Sequence, residues 1–298
     1  MKRLVLCVAV MAVGLTLQAR EEKFEDRLDA SDASSISIDH AHGNIEVRGW
    51  DKDEVVIKGV KIGTGSHSDN LDDIRVEMSR QGSEVRVELI RPKRLVSFGW
   101  GKLQVNYELY APRGFSVELD VAHGSTTLSE FDGSVMVKGA HGKFRGDEFG
   151  SNLVLEWAHG STVVDGVNGN VNLSGRHGST KIKRVGGDLV ADTSHGNLTA
   201  ESLDGAVTVE SSHGSVRVSD NRSPVHPYRI SSSHGSITLD LPDDAGMDLD
   251  ASVAHGSIRS DRNLDIRKKR NRASVNQALN SGGPSVVLEA RHGSIKIQ

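Results

Sequence analysis

The sequence predicts an all-β chain wound as a single-chain β-solenoid (a β-helix), with about 18 residues per coil. Three observations predict it. First, the dipeptide His-Gly occurs ten times, beginning at His42, His123, His141, His159, His177, His195, His213, His234, His255 and His292. From His123 to His213 the interval is 18 residues at every step; the later intervals are 21, 21 and 37. Second, apolar residues alternate within each copy, as in Leu153 and Leu155, Val171 and Leu173, or Val207 and Val209. Period-two alternation marks strands with one buried face. Third, 32 glycines accompany only 6 prolines and 4% aromatics. That composition describes many tight turns around a core of small aliphatic side chains.

A unit this short cannot bury its apolar face alone, whereas stacked copies form one continuous core. Coils would follow one another at the normal strand spacing of ~4.8 Å. An antiparallel sandwich also has many short strands, but it needs neither a constant period nor a constant turn dipeptide. The handedness rule for parallel crossovers favours a right-handed winding.

The segments follow in order. Residues 1–19 have the basic start, apolar run and small-residue end of a secretory signal peptide, with cleavage expected after Ala19. The apolar run is short for a membrane-spanning helix, which needs ~20 residues. The only cysteine, Cys7, falls inside it, so the mature chain is expected to hold no thiol or disulfide. Residues 20–31 are charged and read as a flexible N-terminal segment. Residues 32–116 carry one good unit and less regular coils, including a hairpin about Gln81-Gly82, and read as a cap. Residues 117–298 read as the regular solenoid, with a basic loop insertion at 261–284. Atypical end units are expected, because an open stack exposes strand edges.

The stretches HGNIEVRGWDKDEV, VNYELYAPRGFSVELDVAHGS and GGPSVVLEARHGSIKIQ resemble a bacterial domain-of-unknown-function family often labelled putative adhesin. Its repeats run Ser-Gly-Asp/Asn-Ile-x-Val. The resemblance covers about residues 32–298 and implies an exported β-solenoid of the cell envelope with no established catalysis. The chain departs from that pattern in one way: His stands where Ser usually precedes the Gly.

Equal spacing places the histidines in one column. Along Val207, Val209 and Ser211 the parity continues to His213, so the imidazoles are expected to point inward. A structural turn ladder is one role for the column, with Gly124, Gly142, Gly160, Gly178, Gly196 and Gly214 supplying backbone freedom. Divalent-metal binding is another, with His123, His141, His159, His177, His195 and His213 as candidate ligands for Zn²⁺ or Ni²⁺. A third is acid sensing, because a row of imidazoles cannot all become cationic without mutual repulsion.

Catalysis is not expected. The acidic residues Asp132, Asp147, Asp165, Asp188 and Asp204 fall at differing unit positions, and ten near-equivalent histidines provide no privileged base. A net charge of −4, more acidic once Lys2 and Arg3 leave, argues against nucleic acid. The basic cluster Arg267, Lys268, Lys269, Arg270 and Arg272 suits peripheral contact with an anionic envelope surface. The function expected is a non-catalytic envelope scaffold or adhesin-like surface with no cofactor, at the periplasm or cell surface. The alternative is an exported divalent-metal binder.

Overall fold

The structure, a computed structural model, describes residues 19–65, 71–90 and 102–298. The signal segment with Cys7, and the basic stretch 91–94, therefore lie outside the described residues. Two compact units divide between Phe144 and Arg145. No helix among the described residues is long and apolar enough to cross a membrane.

The first unit contains β1 (Arg20–Asp29), β2 (Ser35–His42), β3 (Ile45–Trp50), β4 (Glu54–Gly63), β5 (Arg75–Gln81), β6 (Glu84–Ile90), β7 (Leu103–Pro112) and β8 (Ser116–Phe131). Strand β2 lies between β6 and β8, parallel to both. Strand β3 lies likewise between β7 and β8. These pairings stack the first regular coil, β8, directly on the N-terminal strands. Beyond β7 the sheet becomes antiparallel through β4 to β1. The β5–β6 hairpin turns at Gly82, whose φ of 64° favours glycine.

Residues 20–29 are not a flexible segment. They form β1, paired along its whole length with β4. Only Phe24 and Leu28 among its half-buried positions are apolar, so the alternation is masked by Glu22 and Asp26. Glu22 accepts a 2.8 Å hydrogen bond from the buried Lys61 ammonium, which lets a charged strand pack.

Strand β9 (Val135–Phe149) leads into the second unit. There the coils are strand pairs: β10 (Leu153–His159) with β11 (Thr162–Val167), β12 (Val171–His177) with β13 (Thr180–Val185), β14 (Leu189–His195) with β15 (Leu198–Leu203), β16 (Val207–His213) with β17 (Val216–Ser219), and β18 (Tyr228–His234) with β19 (Ile237–Asp240). From β10 to β17 every strand pairs in parallel with its counterpart one copy on. Leu153 faces Val171 and His159 faces His177; after the three-residue insertion, Val207 faces Tyr228 and His213 faces His234. The insertion falls in the turn at 220–227, so the inward set is kept. Leu153, Leu155, Val171, Leu173, Val207 and Val209 are all buried. Each contributes about 1.5–3 kcal/mol relative to an exposed position.

The C-terminal coils depart from chain order. Strand β20 (Met247–Ser260) does not stack on β18 and β19; β23 (Ser285–Ile297) lies between them, parallel to both sides. The region 261–284 is not a plain loop. It forms β21 (Arg267–Lys269) and β22 (Arg272–Leu279), and β22 pairs antiparallel with β20. Because β22 covers one edge of β20, the last sequence repeat pairs with the other. The exposed Arg267, Lys268 and Lys269 then form the outer strand, where charge discourages further pairing.

Candidate functional site

Each His-Gly corner follows from its local sequence. In the copy at 207–218, Val207, Val209 and Ser211 point inward and the next inward residue is Val216. From Ser211 to Val216 is an odd step, so the backbone must change faces once inside the corner. That change carries His213 outward. Correspondingly, all seven His-Gly histidines of the second unit, and His123 and His141 of the first, are exposed, while His42 is half-buried. The inward orientation expected from parity is thus overturned, and the clue was the shifted parity of Val216.

The glycines have two reasons to be glycine. Gly124, Gly142, Gly160, Gly178, Gly196 and Gly214 have φ between 123° and 139°, as at Gly124 (135°), Gly160 (123°) and Gly196 (139°). A Cβ on Gly196 would also lie 1.7 Å from the Gly178 carbonyl oxygen, and one on Gly178 1.8 Å from that of Gly160. The corners are therefore in backbone contact. Gly160 N–H donates to the His177 carbonyl (2.9 Å), and Gly196 N–H to that of His213 (3.0 Å). The parallel ladder runs through the turn without a break.

This register fixes the rings. In the first unit His42 stacks on His123 and His123 on His141, with centroids 4.8 Å apart in each case. In the second unit the stack runs His159, His177, His195, His213, His234, His292, His255, with centroid separations of 4.7–4.9 Å. Interplanar angles reach only 22°. Partial desolvation holds the His234 pKa below the ordinary imidazole value, helped by its neighbours His213 and His292 and by Arg291. The ring faces cover one another, and the residues as a whole stay exposed.

Two further features line the coils, and the second was missed in the sequence. Thr193, Ser211 and Ser232, each two residues before a histidine, are buried in register, and their hydroxyls find no hydrogen-bond partner. The opposite corner has its own ladder: Asn170 N–H donates to the Asn152 side chain (2.8 Å), Asp188 N–H to Asn170 (2.8 Å), and Ala206 N–H to Asp188 (2.9 Å). An Asn/Asp column every 18 residues was the available signal.

Of the scattered acids, Asp165 pairs with Arg184 (2.7 Å), Asp147 with Arg145 (2.7 Å), and Asp204 with Arg222. In the first unit Asp39 does face Glu88 and Asp120 across neighbouring strands, beside an open basin of about 310 Å³. Arg86 sits among them and pairs with Glu84 and Glu88.

As stacked, the imidazoles present like nitrogens at about the ring interval of 4.8 Å. One ion with Zn–N bonds of ~2.0–2.1 Å spans at most ~4.2 Å, so adjacent rings share an ion only after rotating. Among the described residues no group of three or more ligating side chains is placed to hold a metal.

A family model named Toastrack DUF4097 matches residues 17–298. The chain belongs to that family. Solved structures similar to this Toastrack chain include a putative adhesin from Bacteroides fragilis, at 11% identity over 93% of this chain and 97% of that one, TM-score 0.35. A putative lipid binding protein from Parabacteroides distasonis aligns at 10% identity over 93% and 97%, TM-score 0.41. A putative cell adhesion protein from Clostridium sporogenes aligns at 12% identity over 94% and 99%, TM-score 0.24. No curated protein matches the Toastrack sequence.

Proposed function

We propose that this Toastrack protein is exported and non-catalytic, a right-handed β-solenoid that serves as an envelope scaffold or adhesin-like interaction surface. The observation that carries the proposal is the exposed file of stacked imidazoles in the second unit. A repeating, solvent-facing edge can engage a repeating partner, and it offers no single privileged group for catalysis. The signal pattern of residues 1–19 supports export.

Two experiments test it. A fusion of residues 1–31 to a phosphatase that is active only outside the cytoplasm should give active colonies; inactive colonies would refute export. Purified protein should co-sediment with isolated bacterial envelopes, and His177→Gln/His195→Gln/His213→Gln should do so several-fold less. Equal sedimentation of the variant would remove the ladder from the proposal, and no sedimentation of either would remove the adhesin-like function.

The runner-up is an exported divalent-metal binder, favoured by the exposure of the histidines. It requires rotation of alternate rings, followed by coordination of Zn²⁺ or Ni²⁺ by His177 and His195 or an equivalent pair. Metal analysis of the purified protein, with zinc and nickel titration of wild type against His177→Ala/His195→Ala, separates the two functions.

A further inference from the structure

The ladder of the second unit has a directional electrostatic setting. The residues immediately before its histidines are Ala158, Arg176, Ser194, Ser212, Ser233, Arg291 and Ala254. Two residues after them stand Ser161, Ser179, Asn197, Ser215, Ser236, Ser294 and Ser257. Neither flanking column holds a carboxylate; both are rich in hydroxyls, and their only charges are cations.

Further out, the two flanks differ in sign. Four residues past the histidines, the outward side chains include Lys181, Arg217, Lys296 and Arg259. Three residues before them come Glu156, Asp192, Glu210 and Glu289, all exposed. The ladder is thus the border between an acidic and a basic strip. Lys181 is paired with Glu201 (2.8 Å) and Arg217 with Asp240 (3.4 Å), which tempers the basic side.

One end of the file carries permanent charge. Gly256, next to His255 at the end of the stack, donates its N–H to the Asn271 carbonyl (3.2 Å). Asn271 is in the turn between β21 and β22, so that turn, with Lys269, Arg270 and Arg272 in it, meets the backbone of the ladder's last corner. The basic segment and the histidine column, far apart in most of the sequence, form one continuous edge.

We propose that this edge binds a linear acidic polysaccharide of the uronate type, anchored at the Lys268–Arg272 turn and extending along the imidazoles. The proposal rests on the interaction-surface function above and names its ligand. Imidazole gains protons between about pH 5 and 7, so acidification adds cations to a file whose immediately flanking columns hold no carboxylate, the nearest acids standing three residues away. Neighbouring cationic rings repel, and bound anions relieve that repulsion, so ligand binding and proton uptake favour each other. Desolvation is the main cause of the lowered His234 pKa, and the smaller contribution, repulsion from His213, His292 and Arg291, is the part that a bound polyanion would offset. The serine and asparagine columns suit a hydroxyl-bearing chain. Single-stranded nucleic acid would instead call for exposed aromatic faces, and here the ring faces are covered by one another.

The test uses the full mature chain and polygalacturonate, with dextran as the neutral control. Binding at about pH 5.5 should be roughly tenfold tighter than at about pH 7.5, following imidazole protonation. Raising salt from about 50 to about 200 mM should weaken it roughly tenfold, as counterion release demands for two or three neutralised charges. His177→Gln/His195→Gln/His213→Gln, which leaves four rings of the file, should reduce the pH dependence and keep weak binding. Lys268→Gln/Lys269→Gln/Arg270→Gln should lower affinity at both pH values and keep the pH dependence. Melting temperatures at about pH 7.5 confirm that both variants are folded. Binding of dextran with equal affinity, pH dependence unchanged in the histidine variant, or binding of inorganic polyphosphate without polygalacturonate would overturn the assignment. Co-sedimentation with envelopes in the absence of polygalacturonate binding would refute this inference and leave the adhesin-like function standing.

Discussion

The two units solve the same packing problem in different ways. In the second, Leu153 faces Val171, Val171 faces Leu189 and Leu189 faces Val207, so one solution is copied. In the first, Ser35 faces Glu84 on one side and Ser116 on the other, and a parallel ladder passes into an antiparallel one. Copying makes every corner of the second unit depend on its neighbour's backbone. The first unit relies on individual contacts, such as Lys61 with Glu22 and the edge-on packing of buried His40 against Tyr107. Burial also pushes the Tyr107 phenol up from its ordinary value.

Substitutions should expose this difference. The largest effect is expected for Gly196→Ala, where the new Cβ meets the Gly178 oxygen and φ is 139°. It should cost about 3–5 kcal/mol in denaturant unfolding. Gly114→Ala, in the turn before β8 with nothing within 4 Å of the added carbon, should stay within about 0.5 kcal/mol. Equal costs would contradict the role given to the shared corner backbone.

The histidines give the next contrast. His40→Ala empties a fully buried site and should cost about 3 kcal/mol. His195→Ala removes an exposed ring and its two stacking contacts, and should cost under about 1 kcal/mol. A larger loss at His195 would make the ladder a stability element first and a binding edge second.

Smaller still is Thr193→Val, which replaces a buried, partnerless hydroxyl by a methyl of similar shape. It should raise stability by about 1 kcal/mol. A loss of stability would show that the hydroxyl is satisfied in solution.

Acid gives the last test. The folded pKa of His234 is lowered, so its contribution is fully present above the unfolded value near 6.5. As pH falls below that value, the unfolded chain takes up the proton first and stability declines until the lowered folded pKa is passed. The melting temperature should fall between about pH 7.5 and pH 5, and less so in His234→Gln. An unchanged melting temperature in wild type would remove the repulsion from the account.

Much of this architecture was legible because a repeat constrains every copy at once. The interval from His123 to His213 and the alternation of Val207 and Val209 specified strands, corners and the stacking of like on like. The outward turn of the imidazoles was encoded in the odd step from Ser211 to Val216, which alternation followed only as far as the corner does not reveal. Strand β1 was hidden because Glu22 and Asp26 occupy half-buried positions that their pairing with β4 makes acceptable. The basic turn beside His255 could not be read from spacing, since an antiparallel strand outside the repeat brings it there.

The wedging of β23 between β18 and β20 has a consequence for biogenesis. A chain emerging N-terminus first can lay down its earlier coils in succession. The span from Met247 to Ser260 then has no seat on that growing edge, because its seat is the strand that emerges last. Final closure of this end, and with it the docking of the cationic turn at the end of the imidazole file, must await residues 285–297.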